Sequence, residues 1–287
     1  MEAAGTRHIL HHSVVDAFLL WNLADLHLHS TNCATKELAR DIKRIADDPF
    51  SFWLGGGDFA EYIGYDDGKR FDPDCVSDKL TIADLGRLGK KSVEVVRDVF
   101  APIKHKCLGL LLGNHEKLYQ RKHQQEDLHA WLCAELEVPN LGYSCLFDVC
   151  FSRGGAKVPR LSDKPGAQAT TTRKTYRIFA HHGAGYAQTP GGKLNRLIQF
   201  MRVFEADIYF IGHVHDKTGR REVLLGADVP CTHLTQKEKI GVISGSYLMT
   251  YRQGTTSYGE QRGYTPTVLG AAWVRIEPHK GRLAAEV

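Results

Sequence analysis

Five apolar runs of this sequence are followed closely by carboxylate, amide or imidazole side chains, and this repeated pattern restricts the possible folds most. In residues 107–116 the run CLGLLL is followed by Gly113 and then by Asn114, His115 and Glu116. An unbroken apolar run of this length is typical of a parallel strand that is buried on both faces. Open α/β sheets place their ligand sites on loops at the carboxyl ends of such strands. The junctions therefore predict an α/β fold with a site at one edge of a sheet.

The polar clusters share one chemistry. In chain order they are Asp25 and His27, Asp58, Asn114 and His115, His181 and His182, and His213 and His215. Helical segments separate the first three runs, which favours β-α-β units whose strand ends converge. Carboxylates together with imidazoles suit Mn, Fe, Zn or Ni better than Ca or Mg. A carboxylate such as Asp58 can also bridge two ions at the roughly 3.5–4 Å separation of two-metal hydrolases. The clusters therefore predict a divalent metal site.

Composition indicates an ordinary globular chain. Its 287 residues are 43% hydrophobic and 24% charged, so we expect a loose N-terminus over residues 1–13 and one domain over residues 14–287. The apolar stretch from Val14 to Leu23 is shorter than the roughly 20 residues of a membrane span, so no membrane association is expected. Seven cysteines without a C-x-x-C pair argue against a disulfide framework and a thiolate zinc site. These features predict a cytoplasmic protein.

The ordered motifs D-x-H, GGD, GNHE, HH and GHVH resemble the calcineurin-like metallophosphoesterase superfamily over roughly residues 18–276. Other stretches are similar to phage-type members of the phosphodiesterase and nuclease branch. The resemblance implies a four-layer α/β/β/α sandwich with mixed sheets and two metal ions at the sheet ends. It implies the ligands Asp25, His27, Asp58, Asn114, His181, His213 and His215. The register of HHG is ambiguous, so His182, otherwise expected to bind substrate, is the alternative to His181.

The resemblance also implies a reaction. Two divalent ions, manganese by expectation and zinc, iron or nickel as alternatives, would provide a bridging hydroxide that attacks phosphorus. His115 would meet the phosphate and protonate the leaving group, with Asn114 and Glu116 as its catalytic neighbours. The GD-x-HG and GD-x-VDRG forms of protein Ser/Thr phosphatases are absent from the sequence. A phosphodiesterase acting on nucleic acid or nucleotides is therefore favoured. A phosphomonoesterase of small or protein substrates and a non-catalytic metal-binding scaffold are the alternatives.

A basic segment rich in Gly and Pro, residues 152–172, suggests how a polyanion could be held. It carries Arg153, Lys157, Arg160 and Lys164 against the single acidic residue Asp163. Because it precedes the strand that ends at His181, it could fold over the metal centre and bind DNA or RNA through phosphate contacts. Arg153 and Arg160 are therefore predicted to bind substrate. A surface loop with incidental charge is the competing interpretation, and the oligomeric state stays open.

Overall fold

The computed structural model describes residues 1–123, 127–154, 156–166, 173–185 and 187–287. The strands are β1 Glu2–His11, β2 Phe18–Leu23, β3 Ser51–Gly55, β4 Cys107–Leu110, β5 Ser144–Arg153, β6 Arg160–Ser162, β7 Lys174–His181, β8 Ile208–Ile211, β9 Lys217–Ala227, β10 Leu234–Ser244, β11 Ala272–Glu277 and β12 Arg282–Glu286. The helices are α1 Thr35–Asp47, α2 Ile82–Leu85, α3 Leu88–Phe100, α4 Asn114–His123, α5 Leu128–Leu136, α6 Pro190–Val203 and α7 Tyr258–Gln261. None of these helices is long and apolar enough to cross a membrane.

The strands form two mixed sheets. The five-stranded sheet has the order β12-β11-β2-β3-β4, and the seven-stranded sheet has the order β6-β1-β5-β7-β8-β10-β9. In the smaller sheet, β2, β3 and β4 run parallel and β11 runs antiparallel to β2. In the larger sheet, β7, β8 and β10 run parallel, while β5 runs antiparallel to β7. Each sheet therefore contains the parallel strands that the apolar runs predict.

Both faces of the sheets are covered, which gives four layers. Leu20 of β2 packs in the core between the two sheets, whereas its neighbour Trp21 packs in the core shared with the helices on the other face. That outer core includes residues of α1, α3 and α5, such as Val96. On the outer face of the larger sheet, Leu197 of α6 packs in a third core with residues of β8 and β10. The predicted α/β/β/α sandwich is confirmed.

The N-terminal residues are not the loose end that the sequence suggested. Strand β1 lies inside the larger sheet, parallel to β5 with Ile9 opposite Phe151, and antiparallel to β6 with Leu10 opposite Arg160. Ile9 and His11 are fully buried. The sequence EAAGTRHILH gives little indication of this because only its last residues are strongly apolar, and pairing with two neighbouring strands supplies the order.

Candidate metal centre

The loops that follow β2, β3, β7 and β8 and the start of α4 meet at one edge of the sandwich. Three groups of possible ligand atoms lie there, each group with its atoms within 4.8 Å of one another. They are Asp25 with His27 and His215, His27 with Asp58 and His115, and Asp58 with His182 and His213. The first and third groups are two separate ligand sets, and Asp58 connects the third set to His27 of the first. The polar residues that follow the strands therefore lie close together, as the sequence predicted.

The backbone at this edge is strained. The non-glycine residues Asp25, His27, Asp58, His213 and His215 have φ values of 54°, 49°, 52°, 70° and 45°. Left-handed conformations cost L-residues roughly 1–2 kcal/mol each, and such strain accumulates at functional sites. These residues lie in turns after the ends of their strands. The D-x-H and H-x-H spacings therefore do not reflect the alternation by which every second side chain of an extended strand lies on the same face. The left-handed turns bring the side chains together instead.

The first ligand set contains a buried oxygen atom without a hydrogen bond. Asp25 Oδ2 accepts a hydrogen bond from the backbone N–H of His213 at 2.8 Å. Asp25 Oδ1 is buried and has no hydrogen-bond partner in the described part of the chain. His215 Nε2 lies 3.5 Å from this oxygen and 3.3 Å from His27 Nε2. Burial acts to raise the pKa of Asp25, but the imidazoles of His215 and, to a smaller extent, His182 more than offset it and the pKa is lowered. An ionised oxygen and two imidazole nitrogens thus face one another, as the ligands of a cation do.

The second ligand set surrounds Asn114. Its side-chain amide lies 2.9 Å from His182 Nε2, 2.7 Å from His213 Nδ1 and 3.3 Å from Asp58 Oδ2. His182 Nδ1 donates to the Gly56 carbonyl at 2.7 Å, so Nε2 is the lone-pair nitrogen of the neutral ring. Burial lowers the pKa of His213, which favours its neutral form. With the Asn114 oxygen turned toward them, these groups offer carboxylate, imidazole and amide ligands to one ion.

His181 lies outside the ligand groups, contrary to its predicted role. Its Nδ1 accepts a hydrogen bond from the Gly183 N–H at 2.8 Å, and its ring stacks on Phe200 with centroids 4.8 Å apart. Burial, reinforced by neighbouring positive charge, lowers its pKa to about 4. His181 is the last residue of β7, and the N–H of His182 still donates to the Tyr143 carbonyl at 3.1 Å, so the two adjacent side chains lie on opposite faces of the sheet. One residue of register decides which imidazole reaches the centre, and His182 occupies the position assigned to His181.

His115 and Glu116 face different surroundings. The His115 N–H donates to Asp58 Oδ1 at 2.8 Å, its Nδ1 contacts the Glu61 carbonyl, and 15% of its side chain remains exposed. Glu116 is buried and accepts hydrogen bonds from the N–H groups of Asp58 at 3.1 Å and Phe59 at 2.7 Å. The predicted catalytic role of Glu116 is therefore wrong, because its carboxylate is used to hold the Asp58 loop.

Close packing explains Gly113 at this junction. A Cβ atom at residue 113 would lie 2.1 Å from Asp58 N and 2.4 Å from Glu116 Oε2. Real side chains do not approach other atoms this closely, so only glycine lets the start of α4 touch the Asp58 loop. Gly113 thus allows Glu116 to reach the backbone of that loop.

Arg153 and Arg160 lie at the opposite edge of the larger sheet. Strand β5 pairs Ser144 with His181, so Arg153, at the other end of β5, is nine residues from the metal edge. At about 3.3 Å per residue this separation is roughly 30 Å. Arg160 lies opposite Leu10, next to the pair formed by His11 and Arg153. The prediction that Arg153 and Arg160 contact substrate is wrong. The loop before β7 lies at the beginning of that strand, whereas the metal site lies at the end of the strand. Residues 155 and 167–172 of the predicted loop lie outside the described residues.

Glu61 is a site residue that the motif order did not predict. Its Oε2 lies 2.9 Å from His27 Nδ1, and its Oε1 lies 3.9 Å from His115 Nδ1. Burial would raise its pKa, but the His27 imidazole lowers it to about 2. The only signal is its position three residues after Asp58 in GGGDFAEY.

No family model and no curated protein matches this chain. Solved structures do match it. A metallophosphoesterase from Sphaerobacter thermophilus is 15% identical with a TM-score of 0.38, over 94% of this chain and 87% of that one. The NAD nucleotidase of Haemophilus influenzae is 12% identical with a TM-score of 0.40, over 95% of this chain and 49% of that one. A predicted phosphoesterase from Streptococcus pneumoniae is 10% identical with a TM-score of 0.33, over 91% and 82%. These TM-scores are below 0.5, so the function of the site has to be inferred from the geometry of this chain.

Proposed function

We propose that this chain is a dinuclear metal-dependent phosphoesterase of the calcineurin-like type. The observation that carries the proposal is the buried Asp25 Oδ1, which has no hydrogen bond in the described part of the chain and lies beside two imidazole nitrogens, within a cluster that contains a second ligand set. A buried ionised oxygen with only a 3.5 Å contact to His215 is costly, and a cation bound between these groups would compensate it. Carboxylate, imidazole and amide ligands in this combination fit manganese, iron, zinc or nickel.

The residues divide between two ions. Asp25, His27, Asp58 and His215 would hold one, and Asp58, Asn114, His182 and His213 would hold the other. Divalent ions in such a site lower the pKa of water and neutralise charge on the phosphoryl oxygens. The polar partners of the ligands are already in place, since Glu61 orients His27 and the Gly56 carbonyl orients His182.

His115 is placed to act on the leaving group. Its Nδ1 is engaged by the Glu61 carbonyl, which leaves Nε2 as its free ring nitrogen. Burial would lower the pKa of His115, but the carboxylates of Asp58 and Glu61 raise it above its usual value. A protonated imidazole beside the ligand cluster can donate its proton to the oxygen that leaves phosphorus. Its backbone N–H also fixes the orientation of Asp58.

Metal content and turnover test the proposal together. We expect about two divalent ions per chain by elemental analysis, and hydrolysis of bis(p-nitrophenyl) phosphate with added manganese. Hydrolysis of p-nitrophenyl phosphate in parallel separates diester from monoester preference. Asp58→Asn should lose metal and activity, whereas Asp47→Asn, on the exposed side of α1, should retain both. A folded protein that binds metal but hydrolyses neither ester with Mn, Zn, Fe or Ni would contradict the enzyme and favour a binding scaffold.

A further inference from the structure

A cleft of about 670 Å³ opens on the metal centre. His27, Asp58, Asn114, His115 and His215 form its inner end. Two chain segments, residues 61–88 and 248–267, supply most of its walls, and Leu118 of α4 contributes to one side. Pockets of 300–1,000 Å³ are typical of sites for small organic ligands. The cleft is thus large enough for an organic group next to the metal ligands.

The walls are mainly apolar and incompletely covered. The half-buried or exposed apolar side chains that line them are Phe71, Val76, Leu80, Leu85, Leu118 and Met249. Single exposed apolar residues are ordinary on protein surfaces, but a group of them around one concave site marks a binding surface. Contact with an apolar ligand would remove these side chains from water.

Three polar atoms in the same lining have no hydrogen bond. They are His29 Nε2, Asn32 Oδ1 and Thr267 Oγ1, each buried and without a partner in the described part of the chain. Asn32 is almost completely buried, and its Nδ2 reaches only Cys75 Sγ at 3.7 Å. Water in the open cleft does not reach these atoms, so they lie behind its surface and the surface that a ligand would meet is mainly apolar.

Positive charge is scarce in the cleft. Among the described lining residues, Arg70 and Lys193 are the only Lys or Arg side chains. Arg70 is paired with Asp67 at 2.6 Å, and Lys193 Nζ donates to the His215 carbonyl at 3.4 Å. Proteins that bind nucleic-acid strands instead line their grooves with cations that follow the phosphates. A polymeric substrate therefore fits this cleft poorly.

We infer that the cleft binds the organic group of a small phosphoester, and that this group is uncharged, largely apolar and no larger than a nucleoside. This inference rests on the proposed function, since the metal centre would hold the phosphoryl group while the cleft walls hold its substituent. It makes residues of segments 61–88 and 248–267 the determinants of specificity. It also replaces nucleic acid with a small molecule as the expected substrate.

Inhibition by non-hydrolysable phosphonates tests the inference on the manganese-loaded protein. Methylphosphonate, phenylphosphonate and 1-naphthylphosphonate share one anionic head and differ in apolar size. Against hydrolysis of bis(p-nitrophenyl) phosphate, we expect naphthylphosphonate to inhibit about 10- to 100-fold more tightly than methylphosphonate, because it buries more apolar area. The double variant Phe71→Ala/Leu118→Ala should reduce this ratio. Leu225→Ala, an exposed apolar site on β9, should leave it unchanged.

The outcomes separate the two proposals. Hydrolysis of the diester with equal inhibition by all three phosphonates would overturn the cleft assignment and leave the phosphoesterase in place. The cleft assignment would also be overturned if the Phe71→Ala/Leu118→Ala variant kept the full ratio of naphthylphosphonate to methylphosphonate inhibition. Tighter inhibition by a single-stranded oligonucleotide than by naphthylphosphonate would overturn it as well. Absence of hydrolysis with every metal would overturn both.

Discussion

Glu61 Oε2 lies 2.9 Å from His27 Nδ1, and this contact fixes which nitrogen of His27 faces the ligand cluster. A carboxylate that accepts the Nδ1 proton leaves Nε2 with its lone pair free. It also makes the ring a stronger ligand, as in other carboxylate–histidine–metal arrangements. Glu61 is thus a positioning residue that acts through His27.

Replacement of Glu61 measures this contribution. Glu61→Ala should weaken binding of the ion held by His27 by about 10- to 100-fold. Glu61→Gln should restore part of the loss because its amide oxygen can still accept the proton. Titration with manganese followed by calorimetry gives the affinities, with Glu238→Ala in the exposed first half of β10 as the control. Equal affinities for wild type and Glu61→Ala would exclude the positioning role.

The two adjacent histidines after β7 should behave differently. His182→Ala should lower the metal content from about two ions to about one, because His182 lies with Asp58 and His213. His181→Ala should retain both ions, since its ring packs on Phe200 away from the ligand groups. Elemental analysis of both variants after identical loading decides between them. Loss of metal from the His181 variant alone would restore the assignment made from the sequence.

The sequence predicted correctly those ligand residues that closely follow the ends of strands. Asp25, His27, Asp58, Asn114, His213 and His215 were predicted to converge because each follows an apolar run, and they do converge. The choice between His181 and His182 could not be made, since it depends on whether β7 ends one residue earlier or later. Glu61 was missed because no repeated pattern marks a residue on a loop.

The other differences between prediction and structure arise from strand direction, long-range strand pairing and side-chain direction. Arg153 and Arg160 precede β7 closely in sequence, but a strand of eight residues carries the chain from their edge to the metal edge. Strand β1 was missed because its pairing with β5 and β6 is between residues far apart in the chain. Glu116 follows His115 directly, yet the first turn of α4 sends its side chain into the protein. Neither long-range pairing nor side-chain direction is contained in local sequence patterns.

Glu116 should stabilise the Asp58 loop. Its carboxylate accepts two backbone hydrogen bonds, and Glu116→Ala leaves both N–H groups buried and unpaired. We expect the free energy of unfolding to fall by about 1–3 kcal/mol per unpaired group, measured by urea denaturation of the metal-free protein. Glu260→Ala, in the short helix α7, is the control because it makes the same substitution away from the Asp58 loop. An unchanged midpoint for Glu116→Ala would contradict this role.

Metal binding should release protons. In the metal-free protein burial would lower the pKa of His182, but Asp58 raises it to about 10, so the ring holds a proton at neutral pH. An ion can bind Nε2 only after that proton leaves, so affinity should rise with pH between about pH 6 and 9. Calorimetry in buffers of different ionisation enthalpy counts the released protons. Affinity that is independent of pH and of buffer would show that His182 is already neutral.

His115 should contribute to chemistry more than to metal binding. His115→Ala should retain about two ions, since the residue lies outside both ligand sets, while the rate of hydrolysis falls by roughly 10²- to 10⁴-fold. The fall should be smaller for an ester of nitrophenol, which leaves readily without a proton, than for an alkyl ester. His12→Ala, far from the centre on the N-terminal segment, is the histidine control. Equal losses for the two esters would mean that His115 only positions the phosphate, and loss of metal would make it a ligand.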